Sequence, residues 1–159
     1  MKSYLLKVSI IGLPRVYRLL EVSEKSTFAD LHDAIFDAFH RYDPHLYSFF
    51  LTGKDTKSVR AIFQAPEITH PQNTEDFMGF GPRKKSATRT RLGDIGFAQK
   101  DVFHYLFDFG DDWWHRIRVE GVVESPAKRK YIKIVKSVGP SPPQYPDPDE
   151  DEWDEEDEE

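Results

Sequence analysis

The sequence predicts an α+β fold with a β-grasp-like ββαβ start, in which a helix packs on a mixed sheet, followed by a C-terminal β-hairpin and a final strand. Three observations predict it. Two apolar strand-like segments open the chain, a segment with helical spacing of apolar residues follows, and two alternating segments flank Gly110 near the C-terminal end. With 159 residues, 14% of them aromatic, the chain can bury one core. We therefore expect one domain over residues 1–139, then a Pro-rich linker and a disordered acidic tail over residues 140–159.

The first two strands are predicted from composition and a turn signal. Residues 3–12 are rich in Val, Ile and Leu, and residues 16–22 repeat this pattern. Leu13 and Pro14 between them favour a turn. Together these segments indicate an antiparallel hairpin.

A helix is predicted next. Ser26 or Thr27 can cap its start, and Asp30 is well placed near its N-terminus. One apolar face is formed by Phe28, Leu31, Ile35 and Phe39. We expect the helix to end near Tyr42, where an Asp-Pro pair follows.

The middle of the chain is less regular. Residues 46–52 predict a third strand, and residues 59–63 predict a further strand piece. Residues 65–91 show little periodicity and carry a run of basic side chains, which is typical of a functional or disordered connection. Residues 92–97 predict a short turn.

The segment FDFGDDWWHRIRVE indicates a hairpin around Gly110, with one strand on each side. One face of this hairpin is predicted to carry Phe103, Tyr105, Phe107, Phe109, Trp113, His115, Ile117 and Val119. Gly110 is expected to supply the positive φ of the turn. His115 is expected to be buried, with Asp108 and the turn acids as its hydrogen-bond acceptors.

The charge is divided between two regions. Of 28 acids, 11 lie in residues 147–159 without any Lys or Arg, so 17 acids face 22 basic residues in the rest of the chain. The last predicted strand, residues 130–138, lies in the basic region. The candidate anion-binding residues are Arg83, Lys84, Lys85, Arg89, Arg91, Lys128, Arg129 and Lys130.

The stretch YLFDFGDDWWH resembles the signature of the plasmid pRiA4b ORF-3-like family. The matching residues are Tyr105, Asp108, Phe109, Gly110, Asp111, Trp113 and His115. The resemblance extends over roughly residues 4–139. It implies a small α+β module found on plasmids, mobile elements and chromosomes, and it implies no particular activity.

Three hypotheses on function follow. The first is a non-enzymatic module that binds a protein partner through the Trp113–Trp114 hairpin, the basic connection or the tail. The second is nucleic-acid binding through residues 83–91 and 128–136, with the acidic tail as competitor. The third is a metal-assisted hydrolase at the Asp and His residues of the hairpin, although their spacing matches no metal motif.

Other site classes find little support in the sequence. The chain has no Cys, which excludes disulfides and thiol catalysis, and we expect no cofactor and no resident metal. His32 and His40 lie eight residues apart, so we expect helix-edge side chains rather than paired metal ligands. No segment is apolar and long enough to cross a membrane, so a cytoplasmic protein without membrane contact is expected. The sequence does not give the oligomeric state, and a monomer is the default.

Overall fold

The computed structural model describes residues 1–74 and 84–145. Eight strands form one mixed sheet, in the order β5-β4-β3-β6-β7-β1-β2-β8. The strands are β1 (Lys2–Ile10), β2 (Leu13–Ser23), β3 (Tyr47–Phe50), β4 (Glu67–Thr69), β5 (Lys84–Ser86), β6 (Val102–Phe107), β7 (Trp113–Glu124) and β8 (Ile132–Val138). The helices are α1 (Phe28–Ala38), α2 (Val59–Gln64) and α3 (Leu92–Ile95). The α+β class is confirmed.

The predicted hairpin of β1 and β2 is antiparallel, but its turn lies earlier than expected. Ile11 and Gly12 make the turn, and Gly12 has a φ of 93°. Leu13 and Pro14 already belong to β2, so their prediction as the turn is wrong. Gly12 adopts the left-handed backbone at no steric cost, and this lets the chain reverse one residue before Leu13.

Helix α1 begins as its capping signals predict. The Thr27 side chain accepts a hydrogen bond from Asp30 N at 3.1 Å, and the Asp30 carboxylate accepts one from Thr27 N at 2.9 Å. This reciprocal pair satisfies two backbone donors that the first turn would otherwise leave free. The helix ends at Ala38 rather than near Tyr42, because His40 takes a positive φ of 54°.

The middle of the chain contains elements that the sequence did not predict. Residues 59–63 were expected to be strand but belong to α2, which Ser58 caps by accepting from Ala61 N at 3.2 Å. The short strands β4 and β5 pair with each other in parallel, whereas the other strand pairs of the sheet are antiparallel. Residues 92–95, predicted as a turn, form the single helical turn α3.

The β-grasp-like detail of the prediction is not confirmed. The order of the first elements, β1-β2-α1-β3, follows the expectation. However, β6 and β7 lie between β3 and β1 in the sheet, so the hairpin and the third strand are not neighbours. The predicted C-terminal hairpin is formed by β6 and β7, and β8 closes one edge of the sheet beside β2.

Both faces of the central strands are covered. On one face, α1 packs its buried Phe28, Leu31 and Ile35 into the main core. On the other face, Ile62 of α2 packs with Phe50 and Leu106. The two layers together bury all six residues of β6. The same face of β1, β2 and β8 carries partly exposed side chains instead.

The chain remains attached to the domain beyond the predicted boundary at residue 139. The Ser141 hydroxyl donates to Phe39 O at 2.5 Å. The buried Gln144 amide accepts from Tyr42 N at 2.9 Å and donates to Asp43 O at 2.8 Å. This part of the expected linker therefore covers the end of α1. Within the described residues, none of the helices has the length and apolar character to cross a membrane.

Candidate functional site

The turn between β6 and β7 is held by the backbone and side chain of Asp108. Its N–H donates to Leu46 O at 3.0 Å, and its Oδ1 accepts from Gly110 N at 3.1 Å and Asp111 N at 3.3 Å. Asp108 and Asp112 take the positive φ values, 63° and 55°. The prediction that Gly110 supplies the positive φ is therefore wrong. An Asp can adopt this conformation because its short side chain bonds to the local backbone.

His115 is fully buried, as predicted, but its partners differ from those expected. Nδ1 lies 3.3 Å from Tyr105 O, and Nε2 lies 2.7 Å from Arg41 Nη2. A guanidinium can only donate, so Nε2 accepts and the ring proton resides on Nδ1. The prediction of Asp acceptors for His115 is wrong. Burial, together with the Arg41 charge, lowers the pKa of His115 well below its ordinary value, so the ring is neutral in the folded protein.

Arg41 is a buried cation that sequence analysis did not single out. Its guanidinium carbon lies 5.2 Å, 5.1 Å and 5.4 Å from the ring centroids of Phe39, Phe107 and Trp113. These faces offer cation–π attraction where a carboxylate would usually be found. Burial lowers the pKa of Arg41 to about 10, so it stays charged at neutral pH. Arg41 thus links His115 to Trp113.

A second buried pair lies next to this one. The Tyr105 hydroxyl is 2.6 Å from His32 Nδ1, and the His32 ring stacks on Tyr47 at 3.7 Å. Burial lowers the pKa of His32 to about 3, with the charges of His70 and Arg41 adding to the effect. The prediction of His32 as a helix-edge side chain is therefore wrong, whereas His40 is exposed.

A polar network covers the outside of the turn. His45 Nε2 lies 3.4 Å from Asp108 Oδ2 and 2.6 Å from the Tyr145 hydroxyl. The same hydroxyl donates to Asp43 Oδ2 at 2.8 Å. That hydrogen bond raises the pKa of Tyr145 to about 12. Asp108 is therefore held by the turn backbone through Oδ1, while its Oδ2 faces His45.

The remaining motif residues line an open groove beside the turn. The groove encloses about 320 Å³. Its lining residues are Ile10, Ile11, Gly12, Leu13, Asp111, Asp112, Trp113 and Trp114. Five of these are large apolar side chains, two are acids and none is basic. The two turns that meet here, β1–β2 and β6–β7, are adjacent because Ile11 N donates to Trp114 O at 2.9 Å.

An apolar strip extends the groove across α2. Ile11 and Leu13 are 48% and 40% exposed at the groove. Trp114 contacts Phe63 edge-to-face, with ring centroids 5.6 Å apart, and Phe63 is itself 48% exposed. Large apolar side chains that are adjacent and exposed mark interaction sites more often than isolated ones do.

The structure separates part of the predicted anion-binding set. Lys84 and Lys85 lie on β5, at one edge of the sheet, whereas the loop of residues 128–130 leads into β8 at the opposite edge. Lys130 is paired with Asp30 at 3.0 Å. Arg89 and Arg91 lie between β5 and α3, where they are exposed, and Arg83 lies outside the described residues. Lys84 and Lys85 are therefore apart from residues 128–130, whereas Arg91, which bridges to Thr27, lies with Lys130 at the start of α1.

The acids and the histidine of the β6–β7 hairpin do not form one cluster. His115 is inside the core on Arg41, Asp108 is in the turn, and Asp111 and Asp112 face the groove. Over residues 1–74 and 84–145, no group of three or more His, Asp or Glu side chains is placed to hold a metal ion. Phe109, predicted on the buried face, is 37% exposed in the turn.

Comparison with known proteins gives a family and a fold. The family model for plasmid pRiA4b ORF-3-like proteins matches residues 2–145. The structure is similar to the crystal structure of MM3350 from Methanosarcina mazei Go1, a protein of unknown function. The TM-score is 0.69 at 27% sequence identity, and the match covers 90% of this chain and 73% of that chain. No curated protein matches.

Proposed function

The chain belongs to the plasmid pRiA4b ORF-3-like family, and we propose that it is a non-enzymatic module that binds a protein partner in the groove beside the β6–β7 turn. The observation that carries this proposal is the composition of the groove: exposed apolar side chains with an acidic rim and no basic residue. We place the module in the cytoplasm as part of the same proposal, since it has no Cys.

The partner that fits is a segment with large apolar side chains flanked by Lys or Arg. Apolar side chains would be removed from water against Leu13, Trp113 and Trp114. Basic flanks would meet Asp111 and Asp112 at the rim, where complementary charge increases the rate of association and the specificity. An acidic segment would be repelled there.

Buried residues of the family motif support the side chains that line this groove. The Tyr105 carbonyl accepts from His115, His115 accepts from Arg41, and Arg41 lies against Trp113. Asp108 fixes the turn that carries the rim acids. A site built on such fixed elements loses little entropy when it binds. The buried residues of the motif, Tyr105, Asp108 and His115, are therefore structural. The residues that line the groove, Asp111 and Trp113, contact the partner.

A selection from a random peptide library tests the proposal. The full-length protein is immobilised, and peptides of about 12 residues, a length that covers a groove and its flanks, are enriched on it. We expect recovered peptides to combine aromatic or aliphatic residues with Lys or Arg. Their binding, measured by fluorescence anisotropy, should weaken at least about tenfold in an Ile11→Ser, Leu13→Ser variant.

A matched control variant removes a similar amount of exposed apolar surface at another place on the protein. Ile134 and Val135 on β8 are each 50% exposed and lie away from the groove. The Ile134→Ser, Val135→Ser variant should bind the peptides as the wild type does. Failure to enrich any peptide, or equal loss of binding in both variants, would rule out the groove as the binding site.

A further inference from the structure

The face of β1, β2 and β8 opposite α1, here called the open face, is basic and only partly covered. Leu19 of β2 lies between Lys7 of β1 and Lys136 of β8 in the strand register. Tyr17 lies two residues before Leu19 on the same face of β2. Lys7 Nζ is 4.4 Å from the centre of the Tyr17 ring. The result is a half-buried apolar spot, Tyr17 and Leu19, with a lysine on each side.

The acids near this spot are already paired. Glu21 accepts from the Tyr131 hydroxyl at 2.6 Å and lies 3.6 Å from Lys133 Nζ. Glu120 is paired with Arg118 at 2.7 Å. Within residues 1–74 and 84–145, neither Lys7 nor Lys136 has an acidic side chain within salt-bridge distance. Two positive charges on this face therefore remain available to an anionic segment.

We propose that residues 147–159 of the same chain bind the open face, with Trp153 against Tyr17 and Leu19 and its acidic neighbours on Lys7 and Lys136. The segment has the complementary composition, since it contains 11 acids, no Lys or Arg, and one aromatic residue with acids on both sides. Charge complementarity orients such a contact, and the aromatic ring supplies buried apolar area. The acidic rim of the groove excludes the same segment from the partner site.

The covalent connection is longer than the lateral distance that it has to cross. Tyr145 is fixed beside His45 and Asp43. The eight residues from Tyr145 to Trp153 span up to about 27 Å when extended. In the sheet, β6 and β2 are three strands apart, or about 14 Å at the usual spacing. This lateral separation uses about half of the span and leaves the other half for the distance along β2 and for the passage round the sheet.

Carbodiimide cross-linking of the full-length protein tests this contact, because the reagent joins a carboxylate to a lysine that touches it. We expect peptides from residues 147–159 to be linked mainly to Lys7 and Lys136, and within monomers. Lys84 and Lys85 are the matched control, since they are comparably exposed but lie on β5 at the opposite edge. Yields at Lys7 and Lys136 should exceed those at the control pair several-fold and fall at about 1 M salt.

A Trp153→Ala variant separates the specific contact from general attraction between opposite charges. It keeps all acids, so the yield at Lys7 and Lys136 should fall several-fold toward that of the control pair. Equal yields at the two pairs of lysines, or no cross-link at all, would overturn the proposal. Cross-links found only in covalent dimers would overturn it too, because the segment of a second copy would then be the occupant.

Discussion

Lowering the pH from 7 to 5 should destabilise the folded protein by about 2 kcal/mol through the buried His32, and further in the same direction through the buried His115. Both are bonded inside the core as neutral rings, and burial depresses both pKa values. In the unfolded chain a histidine titrates near 6.5. At pH values between 6.5 and the folded pKa, which is about 3 for His32, the histidine is protonated in the unfolded state but not in the folded state. Stability therefore falls as the pH decreases through this window.

The magnitude follows from the linkage relation. Protonation of the unfolded His32 contributes about 2 kcal/mol between pH 7 and 5, and His115 adds to this loss because its pKa is also well below the ordinary value. This interval lies above the ordinary range of Asp and Glu, which separates the effect from carboxylate titration. Burial lowers the pKa of His104 as well, and this adds in the same direction.

Urea unfolding followed by circular dichroism at a series of pH values measures the effect. A His32→Gln variant should be less stable at pH 7 but should lose about 2 kcal/mol less on acidification, because it lacks one of the titrating rings. His40 is exposed and offers the control, since His40→Asn keeps a residue that tolerates its positive φ. Equal stability of the wild type at pH 7 and pH 5 would refute the burial of neutral histidines.

Three further predictions concern the turn, the core and α1. His115→Ala should lower the free energy of unfolding by about 3 kcal/mol, because it opens a cavity and leaves the Arg41 donor unpaired; an unchanged melting temperature in calorimetry would contradict this. Asp108→Ala should cost about 2 kcal/mol, whereas Asp108→Asn should cost less than half of that, since Asn keeps the acceptor and tolerates the positive φ; urea titration of the two variants should rank them in this order. Thr27→Ala should cost about 1 kcal/mol through loss of the helix cap, and no change in the urea midpoint would show that the capping box is not used.

Elements that depend on local signals could be predicted from the sequence. The capping box of α1 lies within four residues, and the alternation along β6 and β7 lies within single strands. Helix α2 was missed although Ser58 is a capping residue, because residues 59–63 also favour a strand. Strands β4 and β5 have only three residues each and exist through their pairing with distant partners.

The site was predicted in its residues but not in its contacts. The alternation placed His115 inside the core, yet its partner Arg41 lies 74 positions earlier in the chain. No local pattern indicates such a pair. The groove likewise needs Ile11 of the β1–β2 turn and Leu13 at the start of β2 to meet Trp114 near the start of β7. The register of β1 with β7, which no short motif encodes, brings these two turns together.

The charge at the groove rim gives the most direct test of the proposed function. Affinity for a selected apolar and basic peptide should be measured by anisotropy for the wild type and for an Asp111→Asn, Asp112→Asn variant. An Asp33→Asn, Asp37→Asn variant removes the same charge from the exposed side of α1 and serves as control. We expect the rim variant to bind about tenfold more weakly at low salt and the control to bind as the wild type does. Equal affinity of the rim variant and the wild type would contradict the account.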